Sequence, residues 1–119
     1  MTRGMTNPEL ISTITELRKK SRTDGAALWQ ALARELDHAK RKRVAVNLSR
    51  LNRNSAKGEV VAVPGKVLAA GDLNHPLTIA AFSFSSMALN KIALAKGKTL
   101  SLKELIGSGI PPSEIKILK

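Results

Sequence analysis

The chain has no cysteine and no tyrosine, only nine acidic residues against twenty basic ones, and three aromatic side chains, Trp29, Phe82 and Phe84. The absence of cysteine excludes disulfides, thiolate metal sites and cysteine nucleophiles together, and points to a reducing compartment. The two histidines, His38 and His75, stand at metal-ligand spacing neither from each other nor from a cluster of acids, so no metal site is expected. With nine carboxylates, pairs for acid–base work are scarce, and nothing local supports a Ser-His-Asp arrangement. No catalytic residue, cofactor or small-molecule substrate is expected. No apolar run approaches the roughly eighteen residues of a membrane span. Met1 to Lys20 also lacks the apolar stretch and cleavage site of a secretory signal, so the expectation is a soluble, cytoplasmic protein with no membrane partner.

What the chain has is positive charge, unevenly placed. Its 119 residues suit one domain, and 43% hydrophobic content can supply a core. The net charge is +11; residues 1–58 hold 13 basic and 5 acidic side chains, against 7 and 4 in residues 59–119. All eight arginines fall in the first half. Arginine grips phosphate bidentately, so the binding work is expected there, with residues 1–58 as a basic helical half and residues 59–119 as an α/β half of one domain. Six cations, Lys40, Arg41, Lys42, Arg43, Arg50 and Arg53, lie within fourteen residues that contain no acid. Like charges at that density repel, and a strongly negative partner relieves the repulsion. Arg18, Lys19, Lys20 and Arg22 form a second cluster. A solvated charged face or a localisation signal is the plainer reading, but two clusters rich in arginine and poor in acid favour a nucleic-acid surface.

Element signals give a coarse layout. Asn7-Pro8-Glu9 is a helix start, and Leu10, Ile11, Ile14 and Leu17 follow at helical period, with Arg18, Lys19 and Lys20 expected in the last turn. A second helix is expected from about Asp24 to Asp37, with Leu28, Leu32 and Leu36 on one face and Trp29 as a core anchor rather than a base-stacking platform. His38 then sits at the helix end, as a capping or polyanion-facing side chain. Val44 to Leu51 reads as a half-buried strand, with Val46, Leu48 and the stem of Arg50 on one face. A loop at Asn54 to Gly58 precedes a β-branched run, Glu59 to Val63, closed by a Pro64-Gly65 turn, and extended structure resumes over Lys66 to Ala70 before Gly71-Asp72 turns again. Then come a strand over Leu77 to Phe84, a helix capped by Ser85 or Ser86 running to about Lys96, a short helix over Ser101 to Ile106, and an extended end over Glu114 to Leu118. Helices and strands alternate in the second half, which favours an α/β layered fold.

Two nucleotide-site lookalikes fail. Gly97-Lys98-Thr99 has the end of a phosphate-binding loop, but Ile92 occupies the place of its first glycine. Around Pro64-Gly65-Lys66, Val60 and Val67 replace the first glycine and the Ser/Thr. Phe82-Ser83-Phe84 puts two rings at strand period on one face, like a stacking platform. With only three aromatics in the chain, the core has first claim on them, which leaves recognition of phosphate and RNA shape with few base stacks.

The segments KRKRVAVNLSRLNR (40–53) and VVAVPGKVLAAGDL (60–73) resemble the family of the e-type protein numbered eighteen of the large ribosomal subunit of archaea and eukaryotes, related to the universal protein numbered fifteen. The resemblance spans almost the whole chain, and its compact length is similar to the archaeal form. It implies an α/β fold of irregular ββα turns, which together with the two N-terminal helices read above gives the expectation of a layered single domain. It also implies no catalytic activity, a structural role, and large-subunit ribosomal RNA and neighbouring ribosomal proteins as partners. Matching positions imply RNA contacts at Lys40, Arg41, Lys42, Arg43, Asn47, Arg50 and Arg53, and at Lys66, which would hold a phosphate on a tight turn opened by Gly65. For Asn47, a backbone-bonding structural role is an equal alternative. The chain departs from the family at Lys96-Gly97-Lys98, where a run of glycines is common. A DNA-architectural protein would share the charge, but needs a dimeric or groove-inserting element that the sequence does not display.

Overall fold

A computed structural model describes residues 8–38 and 44–119. Helix α1, Pro8–Asp24, buries Thr13, Ile14 and Leu17. It runs one turn past the expected stop, so Arg18 to Lys20 sit inside it, and Asn7, its expected N-cap, lies outside the described residues. Gly25, at φ +73°, breaks the chain between helices, and α2 begins later than expected, at Ala27, and runs to His38. Trp29 is 1% exposed, and its indole N–H donates to Asp24 Oδ2 at 3.0 Å, so the ring is a core anchor with its polar edge satisfied.

Five strands follow: β1 Val44–Asn47, β2 Val60–Leu68, β3 Thr78–Phe84, β4 Lys98–Ser101 and β5 Ile115–Ile117. Every recorded pairing is parallel, in the order β1-β2-β3-β4. Strand β5 returns to β2 along Val60–Ala62, while β1 pairs with Gly65–Leu68. Because β3 takes the other edge of β2, β1 and β5 lie end to end along one edge. The run Val60-Val61-Ala62-Val63 has no polar alternation because both faces of this central strand are covered. Val61, Val63 and Val67 join Leu48 and Leu51 of α3 (Leu48–Arg53) and Ala88 and Ile92 of α4 (Ser86–Leu94) in one core layer. Ala62 and Ala80 face a second layer with Leu17, Trp29 and Leu32 of α1 and α2 and with Leu102 and Leu105 of α5 (Leu102–Ile106). The layered α/β domain with two N-terminal helices is therefore present.

Several local expectations are corrected. The strand expected over Val44 to Leu51 ends at Asn47, and Leu48 starts α3. Val46, Leu48 and Leu51 are all buried, a pattern that strand alternation and a helical three-residue step satisfy equally at the junction. Pro64-Gly65 does not turn the chain; it forms a bulge inside β2, where three β2 steps from Val63 to Lys66 match two β3 steps from Ala81 to Ser83. Phe82 packs on the α1/α2/α5 side and Phe84 on the α3/α4 side, so the two rings share no face. The short strand β4 escapes sequence detection because its four residues are polar or half-buried at the sheet edge. Ser85 caps α4 through a bond from the Ala88 N–H, and Ser101 and Glu104 form a reciprocal capping box on α5.

Candidate nucleic-acid interface

The two segments that carry the family resemblance are packing partners. Gly65 lies against β1 so tightly that a Cβ there would fall 2.0 Å from the Val44 carbonyl oxygen. Gly71, at φ +87°, lies under α3, where a Cβ would fall 2.4 Å from the Ser49 Cβ. The close approach expected at Gly65 is thus made by the protein's own backbone, and the residue is buried within a strand. The Ser49 N–H adds a bond to the Ala70 carbonyl at 3.1 Å. Strand β2 and its exit therefore clamp β1 and α3, and Leu48 and Leu51, both fully buried, fix the rotation of α3.

That rotation turns Arg50 and Arg53 outward. Neither has an Asp or Glu partner among the described residues. One Arg50 guanidinium nitrogen donates to the Lys119 carbonyl at 3.0 Å, which leaves most of its donors free. Asn47 is the N-cap residue of α3, and its side chain makes no cap bond. Lys66 is exposed beside β1, in register with Ala45. Lys40 to Arg43 lie outside the described residues; the chain leaving them enters β1 at Val44, opposite Gly65.

The second cluster does not join the first. Arg18, Lys19, Lys20 and Arg22 ride on α1, which belongs to the opposite side of the sheet from α3. Arg18 pairs with Asp37 at 3.2 Å with both side chains about half exposed, a contact of roughly 0 to 1 kcal/mol. The Lys20 ammonium sits 5.9 Å from the Trp29 ring centroid.

Two lysines beyond the basic half join the α3 surface. Lys116 of β5 donates to the Asn54 carbonyl at 2.9 Å, and Lys119 donates to Glu35 Oε2 at 2.7 Å while its own carbonyl holds Arg50. The alternation Ile115-Lys116-Ile117 marks Lys116 as outward-facing, but only the return of β5 to the β1 edge of β2 brings it to α3. Elsewhere, His75 Nε2 lies 3.1 Å from Ser55 Oγ. The Ser55 hydroxyl donates to the Leu51 carbonyl, so its proton is directed away from the imidazole and the pair ties the loop to α3.

The chain matches no family model. It is similar to large ribosomal subunit protein eL18 of Methanothermobacter thermautotrophicus, 46% identical over 114 residues, which covers 96% of this chain and 94% of that one. The protein of the same name from Methanosphaerula palustris is 40% identical over 114 residues, with the same coverage of each chain. That of Sulfolobus acidocaldarius is 42% identical over 106 residues, or 89% of this chain and 86% of its own.

Proposed function

The chain belongs to the family of large ribosomal subunit protein eL18, and from that premise we propose that it is a structural constituent of the large ribosomal subunit in the cytoplasm, binding ribosomal RNA through Arg and Lys contacts to phosphate. One observation carries the RNA reading. Arg50 and Arg53 are exposed, unopposed by any Asp or Glu side chain among the described residues, and mounted on a helix whose underside is fully buried. The backbone that carries these cations is ordered before binding, so the ordering left to be done on the RNA is that of the side chains. Asn47 stands at the start of α3, Lys66 lies across the sheet from the two arginines, beside Leu10, Leu36 and Phe82, and Lys40 to Arg43 add the densest charge in the sequence. Arg18, Lys19, Lys20 and Arg22 form a separate contact on the other side, which suits a protein set between RNA segments. Neighbouring ribosomal proteins complete its surroundings.

Binding to large-subunit RNA and to mixed-sequence duplex DNA, measured at matched salt, tests the reading. Tighter binding to the RNA is expected, with a salt slope of about −4 to −5 for log affinity if six phosphates are contacted. Equal affinity for both would favour the DNA-architectural alternative. Cosedimentation with salt-washed large subunits is expected, and a chain that stays in the free fraction sinks the assignment.

A further inference from the structure

Among the described residues, four large hydrophobic side chains are exposed, and three of them lie on α4: Met87 at 60%, Leu89 at 42% and Leu94 at 83%. Met87 and Leu94 are seven residues apart, two turns along one line of the helix. Asn90 and Ala93 are exposed beside them, so the outward face carries no charge. The one cation of the helix, Lys91, is turned aside and donates to the Ala69 and Gly71 carbonyls at 3.0 and 2.8 Å. Next to Leu94 the surface dips into a hollow of about 180 Å³, walled by Leu73, Ala95 and the Lys91 stem, with Asp72 on its rim. The Asp72 side chain is 85% exposed and reaches Lys91 only at 4.0 Å. Lys91 already serves two carbonyls, so the carboxylate keeps acceptor capacity for a partner.

We propose that the outer face of α4 docks a neighbouring protein of the large subunit through an apolar segment that places one large side chain in the hollow beside Leu94 and a flanking Lys or Arg on Asp72. The charges select this occupant. A nucleic acid finds no cation along the exposed line from Met87 to Leu94, with Lys91 turned to the Ala69 and Gly71 carbonyls and Lys96 beyond the helix end, and it meets Asp72 with its phosphates. A second copy would bring two chains of net charge +11 together. An apolar protein segment with one cation matches both the stripe and the rim. The proposal rests on the ribosomal reading only for where the partner is found.

The full-length chain carrying p-benzoylphenylalanine at Leu94, and separately at Met87, is assembled into large subunits and irradiated, and the adducts are identified by mass spectrometry. The expected product at both positions is one apolar protein segment containing Lys or Arg. An adduct with ribosomal RNA, an adduct with a second copy of the chain, or no adduct at either position overturns the docking surface. If the unmodified chain fails to enter subunits at all, the ribosomal reading falls with it. Entry together with RNA adducts at Leu94 removes the docking surface alone. As a second measure, Leu94→Lys should lower subunit occupancy about tenfold without weakening binding to naked large-subunit RNA; undiminished occupancy overturns the proposal. Because Leu94 is 83% exposed, this substitution leaves the core intact.

Discussion

Helices α3 and α4 pack on the same side of one sheet and bury equivalent undersides, Leu48 and Leu51 in one, Ala88 and Ile92 in the other. Their outer faces have opposite chemistry. Helix α3 presents Arg50 and Arg53, whereas α4 presents Met87, Leu89 and Leu94 with no charge among them. The core therefore fixes where each helix sits and says nothing about what it meets. If α3 meets RNA and α4 a protein, as proposed, partner choice is written on the half of each helix that folding leaves free.

The sharpest way to break the comparison is to displace one helix and leave the other. Gly65→Ala puts a methyl group 2.0 Å from the Val44 carbonyl oxygen, a clash between backbones that no rotamer relieves. Overpacking of this kind costs about 3 kcal/mol or more. In chemical denaturation the variant should lose that stability, and in hydrogen exchange the β1–α3 segment should lose more protection than α4. Uniform loss across the domain would mean that the two helices form a single cooperative unit.

The equivalence of the undersides is tested by Leu51→Ala and Ile92→Ala. Both residues are fully buried in the same core layer, and each truncation should cost about 3 kcal/mol. Denaturation midpoints at unchanged slope measure the two costs. A difference above about 2 kcal/mol would show that one helix is held chiefly by its loops. The outer faces then separate. Arg50→Ala with Arg53→Ala should move stability by no more than about 0.5 kcal/mol. The same pair should weaken RNA binding on the order of tenfold or more and make the salt slope shallower by roughly 1.4 to 1.8. Leu94→Lys should not make that slope shallower.

The fold class was legible in the sequence because its signals are local. Pro8 and Glu9 open a helix, Ser85 caps another, and a third short helix begins near Ser101, each marked within a few residues. What escaped depends on distant neighbours. Leu48 is buried on a strand or on a helix, so the β1–α3 junction has no local signature. Pro64-Gly65 reads as a turn until β1 is seen lying against the glycine. The charge count places the binding work in residues 1–58, yet β5 carries Lys116 and Lys119 back to the α3 surface, a consequence of strand order that composition does not encode. The basic residues of α1 and α3 form two clusters in the sequence and also in the fold, where the sheet separates them.

The two helices also stop differently. Helix α3 ends at Asn54 with φ −106°, its side-chain amide donating to the Arg50 carbonyl at 2.8 Å, so the stop is unstrained. Helix α4 ends through Lys96, which sits at φ +63° and is the one non-glycine residue recorded in the left-handed region among the described residues. The next residue cannot take over that role by acquiring a side chain, because a Cβ at Gly97 would fall 2.7 Å from the Leu77 carbonyl oxygen, where the Lys98 N–H already bonds at 2.8 Å to start β4. A lysine is therefore left in the left-handed conformation that a glycine would take without strain. An L-residue there carries roughly 1 to 2 kcal/mol of strain, and part of the gain from glycine is lost to the added freedom of the unfolded chain. Lys96→Gly should thus stabilise the domain by about 0.5 to 1 kcal/mol, read as a raised denaturation midpoint. Lys96 is exposed and lies apart from the α3 surface, so RNA affinity should fall by no more than one long-range charge allows. A destabilised Lys96→Gly would show that the lysine side chain stabilises the stop by more than its backbone strain costs, and that α4, like α3, ends on a favourable side-chain contact.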